Sequence, residues 1–161
     1  MLNRKKSEQG FTFVEVLVFS AILSFLLIAL TTTVVTSLQR MTTVEHRLYG
    51  QRYAEELEEW LRGEEEADWS TFIVRDPSSS GTMYCFNGGL DFRTPVWPTA
   101  GLNCPSYNGI GTTPPLIYKR YVVLTQANPD QMNVQIVVEW RDGNRYFSTP
   151  LNTVFTNAKE N

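Results

Sequence analysis

The chain has 161 residues, enough for one compact domain and one long anchoring element but not for two full domains. Its formal charge is -3, and without Arg4, Lys5, Lys6 and Glu8 the 14 basic and 17 acidic residues become 11 and 16, a net of -5. A surface of that sign repels phosphates, and no local cluster of basic residues offsets it, so the composition does not point to a nucleic-acid partner. Two cysteines, Cys85 and Cys104, and a single histidine, His46, are too few and too far apart to suggest a metal site or a cysteine–histidine nucleophile.

In chain order, the first ten residues, Met1–Gly10, are polar and basic. The next 20, Phe11–Leu30, are broadly apolar, and at ~1.5 Å per residue a helix of that length crosses a ~30 Å hydrocarbon layer. The positive charges of Arg4, Lys5 and Lys6 favour a cytoplasmic N-terminus, with everything beyond the span translocated. An ordinary secretory signal would have a shorter apolar core and then a small-residue cut site. Ala21 and Ser24 are small, yet the apolar run continues through Phe25, Leu26, Leu27 and Ile28.

Glu15 does not suit a plain signal-anchor, because an acid inside a membrane span costs a few kcal/mol and usually marks function. The ordered set Gly10, Phe11, Thr12 and Glu15, after a basic stretch and before an apolar helix, resembles the class III signal of the type IV pilin family, pseudopilins of type II secretion included. The resemblance implies an inner-membrane prepilin, cut after Gly10 on the cytoplasmic side by prepilin peptidase and N-methylated on Phe11. It also implies assembly through Glu15 into a filament. The expected partners are prepilin peptidase, other pilin or pseudopilin subunits and the inner-membrane platform of the assembly machine.

The physical chemistry is consistent with that role. Cleavage would leave a cationic α-amine on Phe11 close to the bilayer, and a buried ammonium needs an anionic partner. Glu15 can supply one to a neighbouring subunit, or to its own Phe11 one turn away.

Beyond Leu30 the sequence turns polar but stays helix-compatible to Glu66, giving one helix of roughly 55 residues, or ~80 Å. Met41, Val44, Leu48, Leu57, Trp60 and Leu61 recur at three- and four-residue steps, with a gap around Gln51–Tyr53. The acids from Glu55 to Glu66 read as a solvated face, and His46 as a surface residue. Where many major pilins carry a proline, this chain has Thr32, which removes the expectation of a kink and leans toward a minor subunit.

From Asp68 onward the texture is that of short strands and turns. Asp76-Pro77-Ser78-Ser79-Ser80-Gly81 reads as a loop, Thr82–Phe86 as a short strand, and residues 90–117, with five of the eight prolines, as irregular. Cys85 and Cys104 enclose 18 residues of this stretch. A disulfide between them is expected in an extracytoplasmic head, with two free cysteines as the other reading.

The final third predicts an antiparallel meander. Tyr118–Gln126 is strand-rich, Asn128-Pro129-Asp130 turns, and Asn133–Trp140 alternates Val134, Ile136, Val138 and Trp140 against Gln135, Val137 and Glu139. Asp142-Gly143 turns the chain into Arg145–Thr149, Pro150 interrupts, and Leu151–Thr156 adds a further strand. Trp140 and its neighbours are expected to cover Leu57 and Trp60.

The fold expected is α+β and pilin-like: a long N-terminal helix, transmembrane in its first half, packed on a C-terminal antiparallel sheet. The segments are 1–10 leader, 11–30 membrane or filament-core helix, 31–66 amphipathic extension, 67–117 loop region and 118–157 sheet. The function expected is a minor pilin or pseudopilin of a type IV pilus, competence or type II secretion filament. It would be a single-pass membrane protein whose head faces the periplasm, or the cell surface once assembled. The other reading is a filament-tip binding subunit using residues 82–117, where Tyr84, Trp97 and Tyr107 read first as loop-packing residues, with surface contact as the alternative. No nucleophile elbow, phosphate loop, metal cluster or cofactor motif points to an enzyme.

Overall fold

The computed structural model describes residues 12–77, 80–104, 110 and 117–157. In chain order the elements are α1 (Phe13–Ala67), α2 (Trp69–Ile73), β1 (Thr82–Cys85), β2 (Ala100–Gly101), β3 (Tyr118–Asn128), β4 (Gln131–Asp142) and β5 (Arg145–Thr156). The strands form one antiparallel sheet in the order β2-β1-β3-β4-β5. The chain divides into two compact units, 1–44 and 45–161, and α1 contributes to both.

In the first unit, described from residue 12, α1 presents its apolar side chains outward. Phe13, Leu17, Phe19, Phe25, Leu27 and Leu30 are all exposed. A helix apolar all round and uncovered by its own chain suits lipid or other helices better than water.

The second unit is built on one stripe of α1. Gly50, Ala54, Leu57, Trp60 and Leu61 are buried there, with Val122, Leu124, Met132, Val134, Ile136, Val138, Trp140 and Phe155 of the sheet in the same core. The expected stripe of Met41, Val44 and Leu48 is exposed. The packing face begins instead at Gly50, in the gap of the apolar pattern. A Cβ built on Gly50 would stand 2.9 Å from Trp140 Cζ3, so the absence of a side chain is what lets the indole lie on the helix. Trp140 covers Gly50, with Tyr118 and Phe147 beside it, and shares one core with Leu57, Trp60 and the aliphatic face of β4. Trp60 meets the rings of Phe86 and Trp97 at 5.1 and 5.2 Å. His46 is half-buried rather than on the surface, its ring edge toward Tyr118 and its carbonyl accepting the Tyr118 hydroxyl.

Asp68 breaks α1 and starts α2, its carboxylate accepting from the Ser70 and Thr71 amides as an N-cap does. Trp69 Nε1 donates to the Pro129 carbonyl and ties α2 to the β3–β4 turn. The buried Asp76, just before β1, accepts from Thr82 Oγ1 at 2.7 Å and from the Gln126 amide at 3.0 Å, beside the β3–β4 register shift. In β4 the expected alternation holds, with Met132 to Trp140 inward at even positions and Gln135 and Glu139 outward.

Two details differ from the sequence expectation. Within 67–117 the strand expected at Thr82–Phe86 is β1, and α2 and the two-residue β2 are elements the sequence did not suggest. Leu151–Thr156 is no separate strand, because β5 runs through Pro150, which pairs with Val137 without a register shift.

Arg120 of β3 has a side chain only 1% exposed, bound to Glu56 Oε2 at 2.9 Å and to the Tyr53, Phe86 and Gly88 carbonyls. Burial depresses its pKa, and the carboxylate of Glu56 opposes that shift. Cys85 and Cys104 are joined, with Cα atoms 5.4 Å apart.

Candidate processing and assembly segment

The start of α1 is fixed by its own sequence. Thr12-Phe13-Val14-Glu15 has the spacing of a capping box. The Glu15 amide donates both to the Thr12 carbonyl (3.0 Å) and to Thr12 Oγ1 (3.3 Å), so the first turn's unpaired N–H groups are partly satisfied by the chain itself. Glu15 is the acid of that first turn, where the helix dipole favours negative charge. Its side chain is exposed, so the carboxylate is open to a partner. The Thr12-x-x-Glu15 capping pattern is readable in the sequence alone.

Between Glu15 and Arg40 no charged side chain occurs. The hydroxyls in this stretch are served by the helix. Ser20 donates to the Leu17 carbonyl, Ser24 to Ser20, Thr31 and Thr32 to Ile28, Thr33 to Ala29 and Thr36 to Thr32, all between 2.8 and 3.0 Å. Each of these hydroxyls thus brings its own acceptor into an apolar medium, where water is not available to supply one. α1 is long and apolar enough to cross a membrane, and none of its most apolar 18-residue window is buried.

Gly10 and Phe11 lie outside the described residues. Around them, residues 5–31 match the prokaryotic N-terminal methylation motif. This match supports a type IV pilin-like protein. The motif marks a chain processed as a prepilin, with a membrane-anchored helix, and it implies processing by prepilin peptidase and assembly with other pilins. It indicates a structural subunit. The α+β architecture, a long apolar helix followed by a five-stranded antiparallel sheet, is that of a pilin-like chain. No curated protein and no solved structure matches the chain.

Of the three aromatic residues of the 82–117 region, Tyr84 and Trp97 pack into the head as the loop-packing reading expects. Tyr84 is buried, its hydroxyl donating to the Arg75 carbonyl at 2.7 Å, and burial pushes its pKa up. Trp97 is half-buried, packs against Trp60, Phe72, Tyr84 and Phe86, and donates Nε1 to Glu64 Oε2. Tyr107 lies outside the described residues. The exposed apolar side chains of this region are Phe92, Val96 and Leu102. Among the described residues no group of histidine, cysteine, aspartate and glutamate is gathered as metal ligands.

Proposed function

We propose that the chain is a minor pilin or pseudopilin, a structural subunit of a type IV pilus, competence or type II secretion filament. Prepilin peptidase cuts it after Gly10, Phe11 becomes the N-methylated first residue, and Glu15 is the assembly determinant. The basic Arg4, Lys5 and Lys6 keep the N-terminus cytoplasmic and send the head across the membrane. The observation that carries the reading is the methylation motif over residues 5–31, ending in an apolar helix that its own chain leaves uncovered.

Two substitutions test it, because Glu15 has a second use in the first turn. Glu15→Gln removes the charge but keeps a polar side chain in the first turn, and Glu15→Val removes both, while the backbone amide of residue 15 still donates to Thr12 in either variant. Either variant strands the Phe11 amine in a filament core, at a cost of roughly 3–5 kcal/mol and a several-hundredfold or greater loss of incorporation. Both should be cleaved and membrane-resident but missing from sheared filaments. N-terminal mass spectrometry checks the methylated Phe11. A start near Ser24, or normal incorporation of Glu15→Gln, refutes the assignment.

The second reading, a filament-tip binding subunit using residues 82–117, rests on the exposure of Phe92, Val96 and Leu102. Serine at all three positions would abolish binding to a surface while leaving assembly intact.

A further inference from the structure

Among the described residues β5 ends the sheet, with 12 residues along one edge, whereas the opposite edge is β2, only two residues long. Which of its backbone groups face outward follows from Pro150. The β4–β5 register runs unshifted from Gln131↔Thr156 to Asp142↔Arg145, so the strand stays regular through the proline. A proline has no N–H and fits a strand only where the ladder does not need one, on the free side. The other parity agrees, since the Asn157 amide donates to the Asp130 carbonyl at the start of β4. In an antiparallel strand the N–H and C=O of one residue point the same way and alternate along the chain. Ser148, Asn152, Val154 and Thr156 therefore turn both groups to the open edge.

Natural edges are blunted by lysine, proline, bulges or inward charges. Pro150 does this for the middle of β5. From Leu151 to Asn157 there is no charge, no proline and no register shift. Along this same half, Arg62, Glu65 and Glu66 of α1 line a cleft of about 330 Å³ with Val154, Phe155, Thr156 and Asn157. Arg62 sits over the Phe155 ring at 5.5 Å and pairs with Glu58, while Glu66 on the same wall forms no ion pair among the described residues and keeps that wall acidic.

We propose that the β5 edge from Asn152 to Thr156 is a strand-addition site for an extended segment of another pilin-like subunit, bearing a lysine or arginine toward Glu66. The inference rests on the reading of the chain as a filament subunit. A row of alternating donors and acceptors recognises an extended backbone whatever its sequence, and the acidic wall selects a basic side chain at one position. Pairing of two β5 edges would be isologous and would close into a dimer. A filament needs a heterologous contact, so the incoming segment is not another β5.

The test uses the full chain in its own membrane with the other subunits present and a benzophenone amino acid in place of Asn152. Illumination should yield a crosslink to a second processed subunit, in a peptide containing lysine or arginine and outside β5. Val154→Pro and Glu66→Lys should each lower the yield at least about tenfold. Ser148→Pro, outward-facing but beyond Pro150, should leave it unchanged. Undiminished crosslinking in Val154→Pro, or crosslinks only to lipid, to a non-subunit protein or to β5 of another copy, overturns the proposal. Loss of the near-UV circular dichroism of the head in Val154→Pro also overturns it, because the Val154 amide would then belong to the ladder. Cleavage after Gly10 and presence in sheared filaments are read in parallel. A processed, incorporated subunit without the crosslink sinks this inference alone, and an unprocessed one sinks the reading beneath it.

Discussion

Gly50→Ala sets two effects of opposite sign against each other. Alanine in a helix interior is favoured over glycine by about 1 kcal/mol, so at an open site the change would stabilise the head. At this position the new methyl would lie 2.9 Å from Trp140 Cζ3 and 3.3 Å from Cε3, well inside the ~3.5–4.0 Å optimum for carbon contacts. The indole has little room to yield, being 3% exposed, stacked on Phe147 at 5.8 Å and flanked by Tyr118. Overpacking of this kind costs about 1–3 kcal/mol, which outweighs the propensity gain and leaves a net loss of about 1 kcal/mol. In a Trp140→Phe background the obstructing ring edge is gone, and the same Gly50→Ala change should become stabilising by about 1 kcal/mol. Denaturant unfolding of the detergent-solubilised chain, followed by near-UV circular dichroism, measures all four corners of the cycle. If Gly50→Ala stabilises equally in both backgrounds, Trp140 does not lean on the helix and the account of this contact is wrong.

Arg120→Met should cost about 2–4 kcal/mol, because the Phe86 and Gly88 carbonyls lose a buried donor while the half-exposed Glu56 regains water. In Arg120→Met/Glu56→Met the loss should be smaller than the sum of the single changes, and simple additivity would refute the pairing. Cys85→Ser opens a loop with 18 residues between the bonded cysteines, and should lower head stability by about 3 kcal/mol without changing leader cleavage. Native protein with two alkylatable thiols would contradict that. The hydroxyl of Thr71, then that of Ser70, hold the Asp68 carboxyl at a pKa of about 2 against an ordinary 3.8. Its contribution is therefore complete above pH 3.8 and lost as the pH falls through about 2. Asp68→Ala should flatten the acid limb of the head's stability curve there, and an unchanged slope would show that the cap does not matter.

How much of this was legible in the sequence depended on whether the cause was local. The processing segment is a linear signal, with charge, glycine, acid and apolar run in order, and Glu15 could be singled out before any coordinates. The alternation in β4 and the turns at Asn128–Asp130 and Asp142–Gly143 are local too, and Gly143 takes the positive φ of 59° that its turn requires. What escaped were effects created by a distant partner. Gly50 looks like a flaw in an apolar stripe until Trp140, 90 positions later, is found lying on it. Pro150 looks like a strand break until β4 is seen on the other side, leaving the proline's missing N–H to face outward.

The acidic run of α1 shows the same limit and carries it further. Read along the helix, seven glutamates from Glu55 to Glu66, with no basic residue in the last turn, oppose the helix dipole and suggest only a solvated face. Glu56 neutralises the buried Arg120, Glu58 pairs with Arg62, and Glu64 takes the Trp97 indole N–H. The unfavourable local arrangement is thus partly offset by contacts with β3 and the loop after β1, which anchor the irregular part of the head to its helix. Glu65 and Glu66 lie on the other flank of α1, over the end of β5. One helical segment then holds the head together on one side and presents an acidic wall to an open strand on the other.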